Sequence, residues 1–309
     1  MRKVVYILLL GLLMSKGRAA LIVGLHSEED HYNIISINTQ TGASSTLVDN
    51  AFTDFYGGSF ISNSTLGVGY AITDNSTLYQ FNLLTGQLLA NPAVGGGGAL
   101  ALGASGNLVG LRFDTDHFDL FSINPSTGAS SMLTDNAFAD FYGGSFISNT
   151  TLGVGYAITD SSTLYQFDLA TGQVLANPAV GGGGALALGA SGNLVGLRFD
   201  TDHYNIVSIN PQTGISSTLI DNAFPDFYSG TFKSNPSLGI GYVLTDEQKL
   251  LQFDLSTGQV VSQPALDEIY RSLAFAAVPE PSTYGLILSG VMFALGLFRS
   301  RANQRRALI

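Results

Sequence analysis

The sequence predicts an all-β protein, a six-bladed β-propeller of four-stranded blades, on three observations. The stretch 51–136 recurs at 137–222 with 14 differences in 86 positions, and a more diverged third copy begins at Ala223 with AFPDFYSGTFKSNPSLGIGYVLTD. Each 86-residue unit is itself double. An apolar strand ending in Thr-Gly appears six times, with its glycine at Gly42, Gly86, Gly128, Gly172, Gly214 and Gly258, spaced alternately by 44 and 42 residues. About 43 residues is the length of a four-stranded blade. Finally, no part of the body carries a sustained 3.6-residue apolar period, whereas short β-rich runs bounded by Gly, Asn, Asp, Ser or Pro follow one another throughout.

Composition narrows the function classes. The 309 residues are 45% hydrophobic and only 12% charged, the opposite of the disorder signature. Cysteine is absent, which excludes a disulfide scaffold, a cysteine nucleophile and a cysteine metal site. Four basic residues lie in 1–18 and four in 299–306, whereas all 23 acidic residues lie between Glu28 and Glu280. The body therefore carries five cations against 23 acids, a net −18 that argues against a nucleic-acid partner.

In chain order, residues 1–19 read as a secretory signal peptide. Arg2 and Lys3 form the charged start, Val4 to Met14 an 11-residue apolar run, and Gly17 and Ala19 the small positions before a cut. Lys16 and Arg18 are unusual so near a cleavage site; the alternative is an uncleaved membrane anchor, and either form directs export.

Residues 20–277 form the propeller. One blade reads GGALALGA, a Ser-Gly turn, NLVGLRF, a DTDH turn, FDLFSIN, a P-S-T-G turn and ASSMLTD; its partner reads GGSFIS, LGVGYAIT, TLYQFNL and QLLANPAV. The first blade, starting at Leu21-Ile22-Val23-Gly24-Leu25, lacks the innermost strand. Arg271 to Ala276 offers a matching strand with no hairpin partner of its own. The C-terminal strand is therefore expected to close the ring as the innermost strand of the first blade. The alternative is an open solenoid of three double units. The pattern resembles six-bladed propellers whose blades carry an aromatic-acidic strand followed by Thr-Gly, which implies a fold and no activity.

The C-terminus has three parts. Residues 278–283 read V-P-E-P-S-T, 284–298 are an uncharged apolar stretch expected to be a transmembrane helix, and 299–309 carry Arg299, Arg301, Arg305 and Arg306. Fifteen helical residues span roughly 22 Å against a ~30 Å hydrocarbon core, a gap that snorkelling arginines and local thinning can close. Positive charge after the segment keeps that end cytoplasmic and the body outside.

With Pro279-Glu280-Pro281 before the short helix and the arginine cluster after it, this tail resembles the PEP-CTERM sorting signal of Gram-negative bacteria. The resemblance covers about the last 32 residues. It implies secretion, transient residence in the inner membrane, and cleavage near the motif by an exosortase. It also implies release to the surface, often in exopolysaccharide- or biofilm-forming bacteria.

Candidate chemistry in the body is sparse. The face shared by blade links and second-to-third-strand hairpins should carry Asp114 to His117, its repeat Asp200 to His203, and Glu28 to His31. Clustered carboxylates can bind calcium, but the spacing matches no full calcium loop, so the turn reading is preferred and no metal is expected. His31, His117 and His203 occupy one repeated position and His26 stands apart; hairpin tips spread outward would keep them from sharing a metal. On the same face, Asp54-Phe55-Tyr56, Asp140-Phe141-Tyr142 and Asp226-Phe227-Tyr228 precede innermost strands. Asp54, Tyr56, Asp140, Tyr142, Asp226 and Tyr228 are the candidate ligand-binding residues, their rings stacking on a sugar. Alternatively Phe wedges between blades while Tyr caps the channel mouth.

The runs Gly95–Gly98 and Gly181–Gly184 lack the Lys-Ser/Thr of a phosphate loop. The Asn-x-Ser/Thr sites at Asn63, Asn75 and Asn149 read as turns in a bacterial setting. Few residues break the repeat symmetry: His26 where the other copies have Arg112 and Arg198, Lys233, and Lys249. No catalytic set and no cofactor are expected. The function expected is a non-catalytic surface or matrix module, binding exopolysaccharide or another surface protein, or purely structural. The alternative is a propeller hydrolase or lyase acting on an extracellular carbohydrate.

Overall fold

The computed structural model describes residues 21–55, 60–95, 98–141, 146–181, 184–227 and 231–276. The expected signal peptide, sorting motif, transmembrane helix and arginine tail, and the tyrosines at 56, 142 and 228, lie outside the described residues. Within them no helix is long and apolar enough to cross a membrane; the two helical elements, Ala104–Gly106 and Ala190–Gly192, are single 3-10 turns.

The strands are β1 (Leu21–Ser27), β2 (Tyr32–Asn38), β3 (Ser44–Phe52), β4 (Ile61–Asn63), β5 (Val68–Ile72), β6 (Leu78–Asn82), β7 (Leu88–Ala90), β8 (Leu100–Leu102), β9 (Leu108–Asp114), β10 (His117–Ile123), β11 (Ser130–Phe138) and β12 (Phe146–Asn149). They continue with β13 (Val154–Ile158), β14 (Leu164–Asp168), β15 (Val174–Ala176), β16 (Leu186–Leu188), β17 (Leu194–Asp200), β18 (His203–Ile209), β19 (Ser216–Phe224), β20 (Lys233–Asn235), β21 (Ile240–Leu244), β22 (Leu250–Asp254), β23 (Val260–Ser262) and β24 (Tyr270–Phe275).

Five sheets each use four consecutive strands, β4–β7 through β20–β23, forming blades 2 to 6. The sheet of blade 1 has the order β24-β1-β2-β3, so the last strand is its innermost member. Ile22 faces Phe275, Val23 faces Ala274 and Gly24 faces Leu273. The expected closure is observed and the open solenoid is excluded. Tyr270 is wholly buried beneath Gly24, where a Cβ would come 2.7 Å from the tyrosine ring. The closing strand also reaches blade 2, since the Phe275 N–H donates to Ser62 Oγ at 3.0 Å.

The hydrophobic core is divided among the six gaps between blades. The inner strands of each sheet are buried on both faces, which is why β5, β9 or β17 read as nearly continuous apolar runs, whereas the outermost strands such as β3 and β7 are largely exposed. In β5, Tyr70 and Ile72 pack toward blade 3 while Ala71 packs toward blade 1. The gaps alternate in chemistry. Between blades 1 and 2, 3 and 4, and 5 and 6 three phenylalanines meet: Phe52, Phe60 and Phe81; Phe138, Phe146 and Phe167; Phe224, Phe232 and Phe253. Between blades 2 and 3, 4 and 5, and 6 and 1 the filling is largely aliphatic around Tyr70, Tyr156 or Tyr242, with Phe121 added in the first of these gaps and Tyr270 in the last. Across those same gaps a buried glutamine amide donates to a backbone carbonyl of the next blade: Gln80 to Pro125, Gln166 to Pro211 and Gln252 to Thr39.

The six Thr-Gly turns share one mechanism. An Asn or Asp four residues before the glycine accepts the glycine N–H on its backbone carbonyl and two further N–H groups on its side chain. Asn124 does so for Gly128 at 2.9 Å, and for Ser126 and Thr127 at 3.0 and 3.2 Å. Where the residue is acidic the charge is favoured. Asp254 is held down to about 2, first by the Ser256 hydroxyl, then by the Thr257 and Ser256 N–H groups and the Thr257 hydroxyl. Its stabilising contribution is therefore present above the ordinary carboxylate value and is lost as pH falls toward 2.

Gly128 has φ +74° and backs onto the preceding blade, where a Cβ would meet the Ala93 carbonyl oxygen at 2.1 Å. Gly153 has φ +69° but open space around it. Gly128→Ala is expected to cost about 3 kcal/mol or more, since backbone must move as well as adopt the left-handed region, and Gly153→Ala only about 1 kcal/mol. Urea melts of the two variants check this; equal midpoints would show that the blade contact is soft.

Candidate functional site

The acidic-aromatic segments occupy the predicted face, and packing takes up most of what the structure describes of them. Phe141 lies edge-on to Phe118 at 5.6 Å and tilted against Phe138 at 6.3 Å; Phe55 and Phe227 make the equivalent contacts with Tyr32 and Phe52, and with Tyr204 and Phe224. Each phenylalanine thus packs on the two outer strands of the blade that precedes it, at the margin of the core cluster shared with the next blade. The aspartates before them act on turns. Asp54 Oδ1 accepts the Asp74 N–H at 3.1 Å and Asp140 Oδ1 accepts that of Asp160 at 3.0 Å, each bracing the middle hairpin of the following blade. Asp226 Oδ1 instead accepts the N–H of Phe227 at 2.7 Å.

The three repeated histidines each sit on a different blade among that blade's own carboxylates. The hairpin tip is tighter than the DTDH pattern suggests, because Asp114 ends β9 and His117 begins β10, leaving Thr115 at φ +52° and Asp116 as the turn. His117 Nδ1 bonds Asp116 at 2.9 Å, while Nε2 lies 3.2 Å from Asp119 and 3.5 Å from Asp135. Its pKa is raised, first by the Asp116 hydrogen bond; burial opposes this, and the charges of Asp119, Asp116 and Asp135 add to it. The pairing stabilises the fold below the ordinary histidine pKa of 6.5 and is lost as pH rises through the raised value.

Asp119 was not singled out by the sequence, and among the described residues it is the one acid that is buried. The other copies place Asn33 and Asn205 there, whose Oδ1 atoms accept the Asn50 and Asn222 N–H groups at 2.7 and 2.8 Å. Asp119 accepts the Asn136 N–H at 3.0 Å in the same way, and additionally Arg112 Nη2 at 3.2 Å. Its carboxyl is inaccessible to solvent. Burial alone would raise its pKa, but the Asn136 N–H, Arg112 and His117 outweigh it and the value is lowered. Arg112 also stacks 4.0 Å over Phe121. In the next copy Phe121 becomes Val207 and Met132 becomes Thr218, and Arg198 turns to the Thr218 hydroxyl at 3.2 Å.

Ligand atoms of Asp114, His117 and Asp119 lie within 4.8 Å of one another, a spacing a metal ion can use. Asp119 is already engaged by a backbone N–H, a guanidinium and an imidazole, so a cation would have to displace charge-complementary partners. Ion-pair neighbours surround the set, although His117 Nε2 makes no hydrogen bond of its own.

Ring closure creates a second unsymmetrical place. Where blades 3 and 5 are entered through glycine runs, blade 1 is entered through Asp267, Glu268, Ile269 and Tyr270. With His26, Ser27, Gln248 and Arg271 this link lines a cleft of about 350 Å³. His26 Nδ1 lies 3.4 Å from Glu268 and 3.9 Å from Glu28. His26 was noted as a symmetry breaker and Glu28 as part of a hairpin tip, but Glu268 was missed because the matching link of the other copies is a glycine run.

The third place is the axis. The innermost strands β4, β8, β12, β16, β20 and β24 enclose a channel of about 160 Å³. Among the described residues its wall is aliphatic and aromatic with Ser62, Ser148 and Ser234 among it, and its single charged side chain is Lys233. Lys233 stands where the other copies place Ile61 and Ile147. Desolvation lowers its pKa to about 8. Lys249 instead pairs with Glu247 on the exposed surface, at 2.5 Å.

No protein-family model matches the chain, and no curated protein matches it. Solved structures do. TolB from Acinetobacter baumannii is similar, with a TM-score of 0.57 at 13% identity, over 84% of this chain and 67% of that one. A protein of unknown function from Bacteroides caccae is similar with a TM-score of 0.55 at 14% identity, over 84% of this chain and 99% of that one. At these identities the likeness is one of fold, a β-propeller.

Proposed function

We propose that this is an exported, exosortase-sorted protein of the cell surface or extracellular matrix, whose propeller is a non-catalytic binding or structural module with exopolysaccharide as its ligand. The observation carrying the reading is the position of the closing strand. It ends at Phe275, four residues before Pro279, so cleavage near Pro279-Glu280-Pro281 leaves the ring complete. The order of motif, apolar stretch and Arg299, Arg301, Arg305 and Arg306 supports the same route: secretion machinery first, the membrane transiently, then the exosortase. Six blades built from near-copies offer repeated positions rather than one asymmetric catalytic centre, which favours binding over turnover.

The test is the fate of the chain in its Gram-negative host, by fractionation and intact mass. Wild type is expected outside the inner membrane without its tail, and Pro279→Ala/Pro281→Ala full-length and membrane-bound. Identical full-length species in both would reduce the tail to a plain anchor. Glycan retention should disappear when Tyr56, Tyr142 and Tyr228 are changed to Ala, and unchanged retention removes the ligand from the proposal. One observation favours the alternative of a carbohydrate hydrolase or lyase, the His26–Glu268 pair in the closure cleft; under that reading His26→Ala abolishes turnover of an extracellular polysaccharide.

A further inference from the structure

Lys233 is an anomaly of placement. A lysine whose charged end stands in a largely apolar channel costs free energy unless a counter-charge or water meets it, and Lys233 is half-buried there. Among the described residues the channel wall carries no Asp, Glu, His or Arg, and the side chain of Lys233 makes no hydrogen bond or ion pair. The two other copies of this strand show that the fold is content with isoleucine there. The chain has only four lysines, and of the two in the propeller one has been set on the axis.

We propose that the axial channel is a binding site for a small monocarboxylate with a short apolar body, whose charged end is held by the Lys233 ammonium. The apolar remainder would lie against Leu102, Ile147, Leu188 and Phe275, and the serine hydroxyls of the wall can donate to the second carboxylate oxygen. Size sets the class. A cavity near 150 Å³ holds a benzene-sized body, so about 160 Å³ takes an acid of four to six carbons and excludes a sugar chain. A phosphate or sulfate would surrender its hydration to Leu, Ile and Phe with one amine in return, which argues against either. The site is independent of any glycan-binding face, and either can fail without the other.

The lowered pKa of the amine is what an unpaired cation in such a place should show, and it gives the site a pH dependence. Binding requires the protonated form, so affinity is expected to fall as pH rises above about 8, and bound carboxylate should move the amine back upward. The cross-strand partner of Lys233 on β21 is Tyr242, whose phenol is pushed up to about 12 by burial, so it stays neutral across this range; the described wall carries no other charged or titratable group.

The experiment is calorimetric titration of the purified full-length protein with butanoate at pH 7 and pH 9, with inorganic phosphate as the contrasting anion. Wild type should bind butanoate saturably, bind it more weakly at pH 9, and not bind phosphate. Lys233→Ile should lose at least about tenfold in affinity, the loss expected when one ion pair is removed. That variant restores the residue of the other two copies and is shorter than lysine, so it neither endangers the fold nor blocks the channel. Lys249→Ile should bind as wild type. No saturable binding by wild type, or equal binding by Lys233→Ile, overturns the site. So does butanal trapped by borohydride on Lys233 when butanoate does not bind, because the amine would then be a carbonyl-capturing nucleophile.

Discussion

A chain ending at Ile269 is expected to lose the cooperative unfolding of the full propeller. Residues 270–276 bury Tyr270, Leu273, Ala274 and Ala276 almost completely, and Tyr270 and Leu273 help fill the gap between blades 6 and 1. At about 1.5–3 kcal/mol for each large side chain, plus the unpaired backbone of β1, the loss is on the order of 5 kcal/mol, comparable with the whole stability of many domains. The bared edge of β1 should also pair between molecules, giving dimers or aggregates on size-exclusion chromatography. A chain ending at Ala277 keeps every one of these contacts and should melt like the full-length body. A single sharp urea transition at an unchanged midpoint in the shorter chain would refute the closure as the ring's latch.

The second large effect is at Asp119. Asp119→Leu removes the acceptor of the Asn136 N–H and leaves Arg112 and His117 facing an apolar group, which should cost about 3 kcal/mol. Arg112 is about one-third exposed and can partly rehydrate, which places the figure at the low end for a broken buried pair. Asp119→Asn keeps an oxygen on the Asn136 N–H, as Asn33 and Asn205 do in their copies, and should cost under about 1 kcal/mol. Thermal or urea melts separate the two variants. The contrast should shrink in acid, where protonation of Asp119 weakens the wild-type arrangement itself. Equal destabilisation by both substitutions would mean that the Arg112 pair, rather than the backbone cap, carries the position.

Spacing and local chemistry made the blades legible. The alternating 44- and 42-residue interval, the Thr-Gly turns, and an orphan first strand matched by an orphan last one led to the closed ring. Where strands end was less visible, because pairing rather than composition decides it. β11 runs on to Phe138 beyond ASSMLTD, and Asp114 and His117 belong to strands although their residue types suggest a loop. Side chains whose partners lie on another blade were hardest. Gln80, Gln166 and Gln252 stand inside apolar strands, and the only sign of their inter-blade bonds was a polar residue recurring at a buried register. Asp119 differs from its asparagine counterparts by one atom, and its meaning depends on Arg112 and His117 together. Lys233 was visible as a break in the repeat, but only the ring places that break on the axis.

The alternation of phenylalanine-filled and tyrosine-centred gaps has a consequence for how this ring can change size. Unequal recombination between near-identical copies removes or adds a whole 86-residue unit and always rejoins unlike faces correctly. Loss or gain of one blade would instead make two blades of the same kind neighbours, setting a phenylalanine-lined face against one shaped for the tyrosine-centred filling, without a complete glutamine tie. Descendants of this sequence are therefore expected to have four or eight blades and to skip five and seven, so that parity is an inherited property of the wall between blades.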